Sequence, residues 1–120
     1  MFNRHVHCSR MLIGEYSEDY ENAILEPSSL LRHVSILGTT GSGKTVMGKV
    51  ILEECTLEGI PSIILDVKGD LARMALPTEN DPKADSKRQS EWNKKAEVRI
   101  WTPKDTSGLP ISINPFKIPP

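Results

Sequence analysis

The chain has 120 residues, the length of about one small domain. Charged residues make up 26% and hydrophobic residues 38%, a globular composition that excludes wholesale disorder, collagen and low-complexity fibre. Lys and Arg number 15 against 16 Asp and Glu, a formal net charge of -1, so a polycationic nucleic-acid coat is excluded and any nucleic-acid contact must come from a local patch or a subunit assembly.

Residues Met1 to Arg10 contain no apolar stretch of the kind a signal peptide needs. No apolar run anywhere approaches the roughly 18 residues of a membrane span, so the chain reads as cytoplasmic and without a membrane segment. Cys8 and Cys55 form no disulfide framework and read as reduced thiols. His5, His7 and Cys8 invite a zinc reading, but no C-x-x-C pair accompanies them. They read as an ordinary polar N-terminus.

Two short apolar stretches, Met11-Leu12-Ile13 and Ala23-Ile24-Leu25, flank the acidic run Glu15 to Glu21. They predict a β-hairpin with a long tip, or two strands of a small β-unit. Residues 1–30 are therefore expected to form a short β-rich N-terminal unit, and residues 31–120 the following α/β domain.

Arg32 to Leu37 reads as a strand ending in a glycine-rich turn, followed by a helical pattern from Lys44 to about Glu58. Met47, Ile51 and Cys55 fall at i, i+4 and i+8, and Val46, Val50 and Leu57 fill neighbouring rows. So broad a stripe suits a helix lying on a sheet. Gly59 and then Pro61 form a stop signal. Ser62-Ile63-Ile64-Leu65-Asp66 is a continuous apolar run, the pattern of a strand covered on both faces. Strand, helix and strand together predict a βαβ unit and a parallel sheet. Leu71 to Leu76 predicts a short helix halted by Pro77.

Residues 77–96 are polar, with Trp92 as their large apolar anchor, and read as a surface loop followed by a helical turn. Glu97 to Trp101 alternates polar and apolar and predicts a third strand. The tail from Pro103 to Pro120 is proline-rich and is expected to be mostly extended and irregular. Trp92 and Trp101 read as packing anchors rather than base-stacking platforms.

The chemistry concentrates in Gly38-Thr39-Thr40-Gly41-Ser42-Gly43-Lys44-Thr45, a full match to the P-loop or Walker A pattern G-x-x-x-x-G-K-S/T. A polyphosphate is too charged to bury without many donors, so the loop must turn its own N–H groups inward. Glycines permit the unusual torsions and the close approach. The following helix N-terminus adds open amides and its dipole. Lys44 supplies a point charge for the β- and γ-phosphates, and the Thr45 hydroxyl is a hard oxygen ligand for Mg²⁺.

Asp66 ends the next apolar run, the usual form of an acidic Mg²⁺ partner. Yet Val67 follows it, where a second carboxylate could have oriented water. Asp66 is equally readable as a cap on the next turn, and its place at a strand's carboxyl end puts it near the nucleotide. Asp66 and Gly69 also match D-x-x-G, but a guanine-reading N-K-x-D is absent from Asn93-Lys94-Lys95-Ala96. A GTPase is not supported.

Residues Leu30 to Leu71 resemble the ATPase core of the HerA–FtsK group, which includes DNA-pumping translocases, HerA-type helicases and conjugative-transfer coupling ATPases. The resemblance lies in the Leu31-Arg32-His33 lead-in, the loop 38–45, and the segment Asp66-Val67-Lys68-Gly69-Asp70. Trp101-Thr102-Pro103 and Ser112-Ile113-Asn114-Pro115 are also similar. The resemblance implies a RecA-like P-loop NTPase parallel sheet with flanking helices, incomplete here and preceded by the β-rich unit. It implies ATP and Mg²⁺ as cofactors, DNA as partner, and a homo-hexameric ring in the full-length protein. It places Lys44 as the catalytic charge, residues 38–45 on the nucleotide, Thr45 on the metal and Asp66 near the site. The same resemblance leaves a conjugation or secretion coupling ATPase, or a nucleotide-binding fragment without turnover, as alternatives. No second apolar strand ending in Asp-Glu occurs before Pro120, so the chain is expected to be part of a longer motor.

Overall fold

A computed structural model describes residues 10–76, 85–103 and 105–111. His5, His7, Cys8 and the Ser112 to Pro115 segment lie outside the described residues. The described chain is a small α/β arrangement of two helices and two two-stranded sheets.

The N-terminal stretches form the expected antiparallel hairpin, β1 (Met11–Glu15) with β2 (Asn22–Leu25). The register shifts between Leu12 and Gly14, where one extra residue is taken up as a bulge. Gly14 carries φ 152 there, a torsion that glycine adopts without a Cβ penalty. The tip is closed by the Tyr16 amide donating to the Glu21 carbonyl at 2.8 Å. Met11 points inward and is fully buried. A short 3-10 turn (Pro27–Leu31) follows, with proline in its first turn.

Helix α1 (Lys44–Leu57) has the bounds expected to within one residue. Gly59 ends it. The Gly59 amide donates to the Thr56 carbonyl at 3.0 Å and the Ile60 amide to the Cys55 carbonyl at 2.7 Å. This pair of reversed bonds is a Schellman motif, and it needs the left-handed φ of 73 that Gly59 has. Lys95 Nζ donates to the last helical carbonyl, that of Leu57, at 2.6 Å, placing a cation at the negative helix end. Cys55 is buried on the apolar stripe, and burial pushes its thiol above its ordinary value, although the Ser62 side chain opposes that shift.

The polar stretch holds a longer helix than expected. Helix α2 (Ser86–Lys95) is started by Asp85, whose carboxylate accepts the Lys87 amide at 2.9 Å and the Arg88 amide at 3.4 Å. Lys94 and Lys95 occupy its last turn, where cations suit the dipole. The short helix expected before Pro77 is a 3-10 turn (Ala72–Ala75).

The expected parallel sheet differs most. No backbone hydrogen bond joins residues 33–38 or 61–66 to another described residue, and neither segment is a strand of a ladder. The βαβ unit is therefore not closed among the described residues. Extended conformation is a local preference of β-branched residues, whereas pairing is a non-local event that requires a neighbour. The consequence is exposure: Ile63, Leu65 and Val67 are 99%, 92% and 98% exposed. Of the third expected strand, only its last residue is paired. Strands β3 (Trp101–Pro103) and β4 (Leu109–Ile111) run parallel.

That pair is linked by residues 104–108, far fewer than the dozen or more that parallel strands usually need. Thr102 closes the link, its hydroxyl donating to the Asp105 carbonyl at 3.0 Å and accepting the Gly108 amide at 3.1 Å. Gly108 is required by space, because a Cβ there would lie 2.9 Å from the Ile100 carbonyl oxygen.

Among the described residues, the buried apolar side chains are Met11 of β1 and Cys55 of α1, and these two elements pack on one another. Met11→Ala is expected to lower stability by about 2–4 kcal/mol in urea denaturation, because it leaves a cavity in a small core. Leu37→Ala, at a side chain 89% exposed, is expected to change stability by under about 0.5 kcal/mol.

Candidate functional site

The loop from Gly38 to Thr45 leaves an apolar segment and enters α1 directly. Gly41 and Gly43 have φ 83 and 84, in the left-handed region that costs an L-residue roughly 1–2 kcal/mol. A Cβ at Gly38 would fall 2.3 Å from Ser42 Oγ and 3.3 Å from Ser42 Cβ, so the Ser42 hydroxyl would have to turn away to admit it. The Thr39 carbonyl gathers the loop by accepting both the Ser42 amide, at 3.3 Å, and the Lys44 ammonium. Gly38, Thr39, Ser42 and Lys44 are thus drawn into one closed turn.

Gly43 is the N-cap of α1 and offers no side chain to the first-turn amides. No acidic residue occupies that turn. A helix that starts this way presents unclaimed N–H groups and the positive end of its dipole to an anion. Thr45 lies in the same turn and is exposed. Its hydroxyl is one hard oxygen of the type Mg²⁺ takes. The cradle thus fits a phosphate chain.

Asp66 is committed elsewhere. Its Oδ1 accepts the Gly69 amide at 2.8 Å, and its Oδ2 accepts the amides of Leu71 at 2.8 Å and Ala72 at 3.1 Å. The carboxylate thereby folds residues 66–72 into a tight turn, with Gly69 at φ 78. Burial, the largest single influence, pushes the Asp66 carboxyl up. The amides of Leu71, Gly69, Ala72 and Lys68 together outweigh it and hold the group below the usual carboxylate range. Among the described residues, no group of three or more His, Cys, Asp or Glu is placed to hold a metal ion.

Sequence reading passed over Glu54. It is the buried charged residue on the otherwise apolar side of α1. Its Oε2 accepts the Leu12 amide of β1 at 2.8 Å, and its Oε1 pairs with Arg88 of α2. The signal available was a carboxylate beside Cys55 within the helical stripe, but its partners lie 42 and 34 residues away in the chain.

A glycine-built turn opens directly onto the uncapped start of a helix. The family profile described as "Helicase HerA, central domain" matches residues 11–120. The chain belongs to that family. Comparisons with curated proteins and with solved structures give no match. Among the described residues, no helix is long and apolar enough to cross a membrane.

Two outcomes follow from this geometry. Gly43→Ala forces a Cβ into left-handed backbone, and calorimetry with ATP is expected to show about tenfold weaker binding, matching a strain of about 1–2 kcal/mol. The Asp66 turn is expected to be pH-dependent. Its folded pKa lies below the unfolded value of about 3.9, so its stabilisation is present above that pH and is lost as pH falls through the folded value. Hydrogen exchange, corrected for intrinsic rate, should show the Gly69, Leu71 and Ala72 amides losing protection over that acid range. In Asp66→Ala their protection should already be low at neutral pH.

Proposed function

We propose that this chain is the ATP-binding portion of a DNA-translocating ATPase or helicase of the HerA–FtsK type, which in the full-length protein couples ATP hydrolysis to movement along DNA. The observation that carries the reading is the loop 38–45, whose left-handed glycines open onto an uncapped helix start. Membership of the HerA central-domain family supports it.

In this reading Gly38, Thr39, Thr40, Gly41, Ser42 and Gly43 wrap the phosphates with backbone amides. Lys44 exchanges the Thr39 carbonyl for the β- and γ-phosphate oxygens and is the catalytic charge. The Thr45 hydroxyl holds Mg²⁺, which when bound neutralises charge developing on the transferred phosphoryl group. Asp66 shapes the neighbouring turn and stays near the nucleotide without serving as the main acidic metal ligand. The domain then adopts a RecA-like parallel sheet, and the full-length protein works in the cytoplasm as a homo-hexamer around DNA.

Nucleotide binding without turnover is the second reading. The commitment of Asp66 to three backbone amides favours it, because hydrolysis needs a carboxylate or polar group free to orient water. A conjugation or secretion coupling ATPase would use the same cradle on a different cargo.

With the full-length protein, ATP hydrolysis should be stimulated by double-stranded DNA. Lys44→Ala should reduce that rate on the order of a hundredfold or more. Hydrolysis indifferent to DNA would exclude translocation, and calorimetric binding of ATP with Mg²⁺ but no phosphate release would select the second reading.

A further inference from the structure

Glu54 lies on the far side of α1 from the phosphate loop, ten residues and about 15 Å along the axis from Lys44. Its side chain is 7% exposed, and that of its partner Arg88 is 41% exposed. The two carboxylate oxygens serve two different elements: Oε2 holds the Leu12 amide of the hairpin, and Oε1 holds Arg88 of α2.

Removing a carboxylate from water is costly, and the cost is offset only when its oxygens are well supplied with donors. Here it falls on a single group and is offset by two donors from separate parts of the chain. When Arg88 leaves, the charge is left with one neutral amide in a poorly solvated place. The carboxylate then gains by turning toward water, and that turn withdraws the acceptor from Leu12. When the hairpin leaves, Arg88 loses a carboxylate that is held in place. Each contact therefore makes the other more favourable, which is a coupling free energy between two docking events.

We propose that Glu54 couples the hairpin and α2, so that both dock on the loop helix as one cooperative unit. A competitor for Arg88, such as a polyanion, would loosen the hairpin without touching it. The structure also holds an internal control. Lys95 fastens the other end of α2 to the Leu57 carbonyl at 2.6 Å and takes no part in the Glu54 contacts. Trp92 borders the cleft between the helices, beside Glu53, Leu57 and Gln89.

Amide hydrogen exchange read at Leu12 on the whole chain tests this. Arg88→Met is expected to speed exchange of the Leu12 amide at least tenfold, and Lys95→Met to leave it within twofold of the parent. An unchanged Leu12 amide in Arg88→Met overturns the proposal. Equal loosening by both variants also overturns it, because that pattern is general destabilisation. Should Arg88→Met fail to fold, Arg88→Lys keeps the charge but loses the planar fork. Exchange at Leu12 should then rise measurably, and no change would overturn the coupling.

Discussion

Helix α1 has to begin without a side-chain cap. A serine or aspartate cap in its usual extended backbone would take up the first-turn amides. Gly43 leaves those amides open to an anion instead. The rest of the structure makes good that deficit elsewhere. The far end of α1 carries a Schellman closure and a lysine on its last turn's carbonyl. Its buried side carries Cys55 and the Glu54 junction. The helix is fastened at its C-terminal end and left open at its N-terminal end.

What could be read from the sequence follows the range of the interactions involved. The loop, the α1 bounds, the Gly59 stop and the N-terminal hairpin were legible because each rests on residues within a few positions of one another. The unpaired segments 33–38 and 61–66 show the limit. Their composition dictates extended backbone, but a ladder requires a neighbour, and composition cannot supply one. Helix α2 was underestimated because its few apolar residues give weak periodicity. Its real signal is the Asp85 cap, a one-residue feature. Glu54 was missed for the opposite reason, since its hydrophobic neighbours made the stripe look uniformly apolar.

The two acidic positions near the core divide their work. Asp66 spends its charge on the turn just after an apolar segment, and Glu54 spends its charge on joining three elements. Neither carboxylate is idle, so each of them organises backbone or partner helices around the cradle. In the proposed function, the chemistry toward a bound triphosphate rests on the loop's own amides, Lys44 and Thr45.

The bare run of Ile63, Leu65 and Val67 carries a colloidal hazard. An exposed extended run with free edges is a template for self-pairing between molecules. The residues around it counter that tendency. Pro61 stands just before the run and lacks the amide that would lengthen a pairing edge, while Asp66, Lys68 and Asp70 place three charges within its last turn. Such flanking prolines and charges are the residue types that discourage self-pairing of an apolar run.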